Sequence, residues 1–263
     1  MDDELMDIED KPALDAGEVI EAADAAARSI EELIGRIFEY KHRLMERLLA
    51  EGIGHSRFKE GPAGRIPESW RVVPLQEVLA GRKIVEGPAS LPGPGDGAAT
   101  VPVILPESIG SLRLHEKRCG AVARDRARKL GEYAVAGSDI VMAVRGEYAG
   151  ASAIMPVFFE GGIVGPECVR LTADTGLCEP FFLNNVLHSY FQSGVLYTFN
   201  AGSGEMAIDL DMLRRLMIKL PPLPEQKRIA DILLSLSGEI VAGEDALTRI
   251  RSIRGNFISA EDE

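Results

Sequence analysis

The densest run of residues able to bind a charged ligand is KRCGAVARDRARK, Lys117 to Lys129. It sets Lys117, Arg118, Arg124, Arg126, Arg128 and Lys129 against one acid, Asp125. Such cations can hold phosphates, and guanidinium groups can donate in pairs to base edges. Arg124, Arg126 and Arg128 alternate, so an extended chain would carry all three on one side, as a ribbon able to approach a groove. A solvated loop or helix face would show the same composition, and the residues alone leave both readings open. Arg145 and Tyr148, in RGEYAG, are further candidates. So are Asn200 and Ser203, in the loop Asn200–Met206, whose glycines would let backbone N–H groups approach a phosphate. A plain turn explains that loop equally well. Arg82 and Lys83 are weaker candidates for phosphate contact.

A search for catalysis finds no site. The sequence has no Asn/Asp-Pro-Pro-Tyr/Phe motif of an amino-methyltransferase, no phosphate-loop lysine and no His-x-x-x-His metal spacing. His42, His55, His115 and His188 are scattered singly and read as surface or packing residues. Glu116–Lys117 is a poor nuclease fragment without a preceding carboxylate motif. Cys119, Cys168 and Cys178 form no close pair and read as ordinary thiols. No catalytic or metal residue is assigned.

The net charge of −12 opposes a nucleic-acid partner until its distribution is considered. Residues 1–27 carry −9, residues 28–60 carry +1, residues 61–220 carry −1 and residues 221–263 carry −3. Most of the acidity lies in the first segment, so a DNA-binding face must be a local patch. The start MDDELMDIEDK has neither the basic nor the apolar part of a signal peptide, and the longest apolar runs, such as Ile140–Val144, are far too short to span a membrane. The expected location is the cytoplasm.

Two long helices must position these residues. Ile20, Ala23, Ala27, Ile30, Ile34, Ile37, Leu44 and Leu48 recur in steps of three and four, broken once at Lys41. The spacing predicts a helix from about Gly17 to Ala50. Ile229, Leu233, Leu236, Ile240, Leu247, Ile250 and Phe257 repeat the pattern from Pro224 onward, with Gly243 and Arg254 as weak points. Each helix would be ~45 Å long, and an amphipathic helix of that length needs a partner along its stripe. The two ends of the chain can serve each other, a second molecule can serve both, or both helices can lie flat on a globular core.

Residues 65–220 instead show β-like runs at Val101–Leu105, Ile140–Val144, Ala153–Phe159 and Cys168–Leu171, with helices at Pro180–Ser193 and Leu210–Met217. Gly87–Gly97 reads as a loop. The fold class is α+β: one globular domain with an irregular β-sheet, flanked by two long coiled-coil-like helices. The expected divisions are 1–16, an acidic disordered tail; 17–60, helix and linker; 61–220, the globular domain; and 221–263, the C-terminal helix. Pro221, Pro222 and Pro224 stiffen the junction before the last helix. Glu225 and Gln226 either cap that helix or meet a partner.

LPPLPEQKRIADIL, residues 220–233, resembles the start of the long helix in specificity (S) subunits of Type I restriction–modification systems. IPESWRVVPLQEVL (66–79) resembles the opening of that family's target recognition domain. AGSDIVMAVRG (136–146) is similar to its G-D-I-L…R-G strand, with Ser138 inserted. NAGSGEMAIDLDMLRRLMIKLPPLPEQ (200–226) and EYKHRLMERLLAEGIGHSRF (39–58) match the flanking junctions. A full S subunit has two recognition domains; this chain has one, and so resembles a half-length form.

The resemblance implies a non-catalytic subunit whose recognition domain reads one half of a bipartite double-stranded DNA target. It implies helices that set the gap and dock methyltransferase (modification) subunits; the candidate partner-binding residues on them, whether for those subunits or for a second helix, are Pro222, Pro224, Glu225, Gln226, Ile229, Leu233, Leu236, Ile30, Ile34, Ile37 and Leu44. A motor nuclease subunit can join the assembly. S-adenosylmethionine, ATP and Mg belong on the partner subunits, and no cofactor on this chain. Two copies, or this chain with another half-subunit, would complete the target. A structural or regulatory coiled-coil scaffold, or a decoy with a degenerate recognition domain, is the alternative.

Overall fold

The computed structural model describes residues 15–91, 93, 99–110, 112–156, 159, 161–200 and 204–261. The acidic tail expected at 1–16 lies almost wholly outside the described residues. The helices are α1 (Ala16–Glu51), α2 (Arg124–Ala127), α3 (Pro180–Gln192), α4 (Leu210–Arg214) and α5 (Leu223–Glu261). The first strands are β1 (Phe58–Gly61), β2 (Gly64–Pro67), β3 (Arg71–Pro74), β4 (Leu79–Glu86), β5 (Thr100–Ile104) and β6 (Gly120–Ala123). They are followed by β7 (Ala134–Val135), β8 (Ile140–Ala143), β9 (Ser152–Ile154), β10 (Gly162–Val164), β11 (Cys168–Ala173) and β12 (Met217–Leu220). The chain divides into two units, Leu44–Leu233 and a second one formed by Met1–Arg43 with Leu234–Glu263. The larger unit therefore takes in residues 44–60 and 221–233 as well as 61–220.

Its core is built on the antiparallel sheet β4-β11-β8-β9. Strand β8 is buried on both faces, which is why Ile140–Ala143 reads as an unbroken apolar run rather than an alternating one. Ile140 and Met142 join a cluster with Phe182, Leu183 and Leu187 of α3, the end of α1 (Met45, Leu48) and the start of α5 (Ile229, Leu233). Val141 and Ala143, on the opposite face, join Ile104, Val135 and Val164 of the second sheet, β6-β5-β10-β7. In that sheet β5 and β10 are parallel. The pairs β1–β2 and β3–β12 complete the unit.

Three expectations change. The run Ala153–Phe159 is a strand only over Ser152–Ile154. The helix placed at Leu210–Met217 stops at Arg214, because Met217 is the first residue of β12 and pairs with Pro74. Arg124–Arg128 is not an extended ribbon: α2 and the 3-10 turn Arg128–Tyr133 follow β6, with Ala127 and Leu130 packed onto Val103, Val122 and Ile163. Their three-residue spacing is helical, and burying it outweighs the alternation of the arginines.

The start of α5 is tied to the end of α1 by one carboxylate. Glu225 Oε1 accepts from the Ile53 N–H at 3.0 Å and lies 2.8 Å from His55 Nε2. Its Oε2 accepts from Trp70 Nε1 at 3.0 Å. Gly52, at φ +69°, ends α1 where a Cβ would fall 2.4 Å from Glu225 Oε1. Gln226 is fully buried; its Oε1 accepts from the Glu179 N–H at 2.9 Å, and its Nε2 donates to the Leu177 and Pro221 carbonyls.

In the other unit α1 and α5 run antiparallel as a two-helix pair. Glu31 pairs with Arg251 at 2.7 Å and Asp24 with Arg254 at 2.8 Å. Lys41, which interrupts the apolar stripe, donates to Ser237 Oγ at 2.8 Å, and burial holds its ammonium below the usual lysine pKa. Gly243 interrupts the opposing stripe because Ile34 fills its place; a Cβ there would lie 2.8 Å from Ile34 Cγ1.

Glu225→Ala should lower unfolding stability by about 3 kcal/mol, since it leaves buried donors unpaired; urea unfolding followed by Trp70 fluorescence measures it, and no change in midpoint would refute the role given to the carboxylate. Gly243→Leu sets helix propensity, which favours leucine by about 1 kcal/mol, against overpacking of about 1–3 kcal/mol. Overpacking should win, so the helical circular-dichroism melt shifts to lower temperature. A higher Tm would show that Ile34 and Gly243 are not in contact.

Candidate nucleic-acid interface

The basic stretch is not one patch. Lys117 and Arg118 lie exposed in the 3-10 turn Glu116–Arg118, and strand β6 then carries the chain away, burying Val122 and Ala123. From Arg118 to Arg124 the chain advances ~20 Å at strand rise. Two groups of candidate residues result.

The first gathers around the β8–β9 connection. Arg145 bridges Ala207, and the Gly146 N–H donates to the Met206 carbonyl at 2.9 Å. Asn200 bridges Ile208, and its Oδ1 accepts from the Ala207 N–H at 3.1 Å. Arg145 and Asn200 thus come together although 55 residues separate them. Ser203 lies outside the described residues. Tyr148 is half-buried beside them. Its hydroxyl pairs with the adjacent Glu147 carboxylate, which raises the phenol pKa; the charge of Arg118 pulls it partly back, and Glu107 pushes it further up. The turn carrying Arg118 therefore belongs to this group. So do acids: Glu107 and Glu147 act on Tyr148, and the Glu205 carboxylate lies beside Gly146.

The second group comprises Arg124, Arg126, Arg128 and Lys129, all exposed. Arg124 and Arg128 stand one turn apart, while Arg126 donates to the Gly93 carbonyl at 3.2 Å. The 3-10 segment Arg128–Tyr133 packs against β4. That strand carries a wide bulge: Leu79 pairs with Ala173 and Ile84 with Leu171, so residues 80–83 stand opposite Thr172 alone. Arg82 and Lys83 are exposed on it, and Arg82 has φ +57°. The left-handed region costs a non-glycine residue about 1–2 kcal/mol. The only sequence signal for this feature is Gly81 just before it.

Three of the partner-binding candidates are closed to a partner by burial. Gln226, Ile229 and Leu233 are fully buried inside the globular unit, and Leu44 packs against the same core. Glu225 is spent on Ile53, His55 and Trp70. Ile30 and Ile34 meet Gly243 of the same chain, and Ile37 and Leu236 are half-buried. Pro222 and Pro224 are exposed. In the Gly137-Ser138-Asp139 motif the acid is structural: Asp139 accepts from the Ala136 N–H at 2.8 Å and from the Thr172 hydroxyl, beside Arg170. Ser138 fits the turn by taking φ +69°.

Burial pushes the Cys178 thiol up to about 12 and raises Cys168 as well, so neither is a ready nucleophile. Among the described residues no three His, Cys, Asp or Glu side chains are grouped to hold a metal, and no helix is long and apolar enough to cross a membrane.

Residues 67–247 match the Type I restriction modification DNA specificity domain. The specificity subunit of the type I restriction enzyme MjaVIII of Methanocaldococcus jannaschii is 25% identical over 207 residues, covering 76% of this chain and 47% of that protein. The chain thus spans about half the length of its curated relative. Among solved structures, the HsdS subunit of Thermoanaerobacter tengcongensis superposes with a TM-score of 0.56 at 18% identity, over 93% of this chain and 55% of that one. The S subunit of a Type-I restriction-modification system from M. genitalium does so at 0.61 and 12%, over 92% and 58%. These likenesses establish the fold.

Arg82→Gly should stabilise the domain by about 0.5–1 kcal/mol, relief of the left-handed backbone exceeding the extra entropy of glycine. A lower urea midpoint would show that no strain is held there.

Proposed function

Because the chain belongs to the Type I restriction–modification DNA specificity family, we propose that it is the sequence-reading component of a methyltransferase complex. The observation that carries this reading is the family match over residues 67–247, which takes in the recognition domain and the first 25 residues of α5. A single recognition domain reads one half of a bipartite duplex target. The paired helices serve as spacer and as the surface on which modification subunits dock; S-adenosylmethionine binds to those subunits, and ATP and Mg to a motor nuclease when one joins. A second copy, or another half-subunit, supplies the other half of the target. The chemistry then lies on the partners, and this chain contributes affinity and register: cations for phosphates, and polar side chains for base edges.

Co-expression with a modification subunit, in a host lacking adenine methylation, tests the proposal by mapping N6-methyladenine. An interrupted palindromic motif is expected from a symmetric pair of chains. A stable complex that leaves DNA unmethylated points to a missing second half, and if it stays unmethylated once another half-subunit is co-expressed, the proposal is overturned in favour of a scaffold or decoy.

A further inference from the structure

Resting on the reading of this chain as a DNA specificity component, we infer that the duplex phosphate backbone is held where the β4 bulge adjoins the α2–3-10 segment, by Arg82, Lys83, Arg124, Arg126, Arg128 and Lys129. The Arg118–Arg145 group does not hold it.

Charge decides between the two. The six cations of the bulge and the α2 segment share β4, α2 and the 3-10 segment with three exposed acids, Glu86, Asp125 and Glu132, and so outnumber them two to one. Among the described residues none of the six is in an ion pair, whereas Arg43, Arg57, Arg170, Arg214, Arg251 and Arg254 are each near a carboxylate. Around Arg118 and Arg145 the balance reverses, with Glu107, Glu147 and Glu205 close by. A phosphate there would meet repulsion from three carboxylates. The tyrosine, amide and guanidinium of that group suit base edges, which carry no net charge.

Backbone geometry agrees. Four residues of β4 leave the ladder opposite Thr172, and the one held left-handed is an exposed arginine. Glycine would sit there without strain, so an arginine held in that conformation points to a use for its side chain. The strand that carries it packs against the segment bearing Arg128 and Lys129, so the two sources of positive charge are neighbours.

The test uses this chain in complex with its modification subunits and a duplex carrying the mapped motif, with affinity measured across a salt series. Each phosphate contact contributes about 0.9 to the slope of log K against log salt. The pairs Arg82→Gln/Lys83→Gln and Arg128→Gln/Lys129→Gln should each lower that slope by about two, with the methylated motif unchanged. The exposed pair Lys59→Gln/Arg71→Gln, on β1 and β3, should leave the slope as it is. An unchanged slope in both test pairs, while the wild-type complex binds and methylates normally, overturns the inference and leaves the specificity reading intact. A lowered slope with an altered motif also overturns it, since those side chains would then be reading bases. A wild-type complex that binds no duplex overturns both.

Discussion

The carboxylate of Glu225 is the point on which the globular unit closes. It gathers hydrogen bonds from residues 53, 55 and 70, more than 150 positions away in the chain, at the place where α1 ends and α5 begins. A carboxylate suits this position because its two oxygens offer several acceptor sites, and bonds to a charged acceptor are stronger than neutral ones. A buried indole N–H and a backbone N–H both need an acceptor, and one side chain supplies it. Gln226, the next residue, does the complementary work by donating to two carbonyls and accepting one N–H.

The prolines before α5 acquire a second meaning in this setting. They restrict the chain, and the first of them, Pro221, also brings no N–H donor into a buried junction. Pro221 is buried, its carbonyl is taken by Gln226, and it has no orphan donor to satisfy. Gly52 meets the same crowding from the other side, since no side chain fits against Glu225 and Trp70 there. The missing donor of Pro221 answers to Gln226, and the missing side chain of Gly52 to the Glu225 carboxylate.

Electrostatics explain how an acidic protein can present a basic surface. The net −12 is concentrated in the first 27 residues, and residues 61–220 are nearly neutral. Several arginines elsewhere are occupied, Arg170 inside the domain and Arg251 and Arg254 between the paired helices. Screening limits the reach of charge to ~10 Å at moderate salt. A ligand therefore responds to the cations it touches, and far less to the sum over the chain.

Much of this was legible in the residues. The stripes of α1 and α5 announced two long helices because helical periodicity is local, and the three weak points in them, Lys41, Gly243 and Arg254, proved to be places where the opposite helix is met. The continuous apolar run at Ile140–Ala143 marked a central strand for the same reason. Short strands such as β6 and β10 left no periodic signal, and the alternating arginines misled because Ala127 and Leu130 had a core to fill. The sequence by itself determined the two long helices, the central strand, the family and the supply of cations, all of which depend on neighbours along the chain. Only the tertiary structure decided which cations stand together, that Gln226 and Ile229 face inward, and that Glu225 meets Trp70. Those outcomes depend on which distant donors and apolar surfaces must be satisfied at once, and no local pattern encodes that.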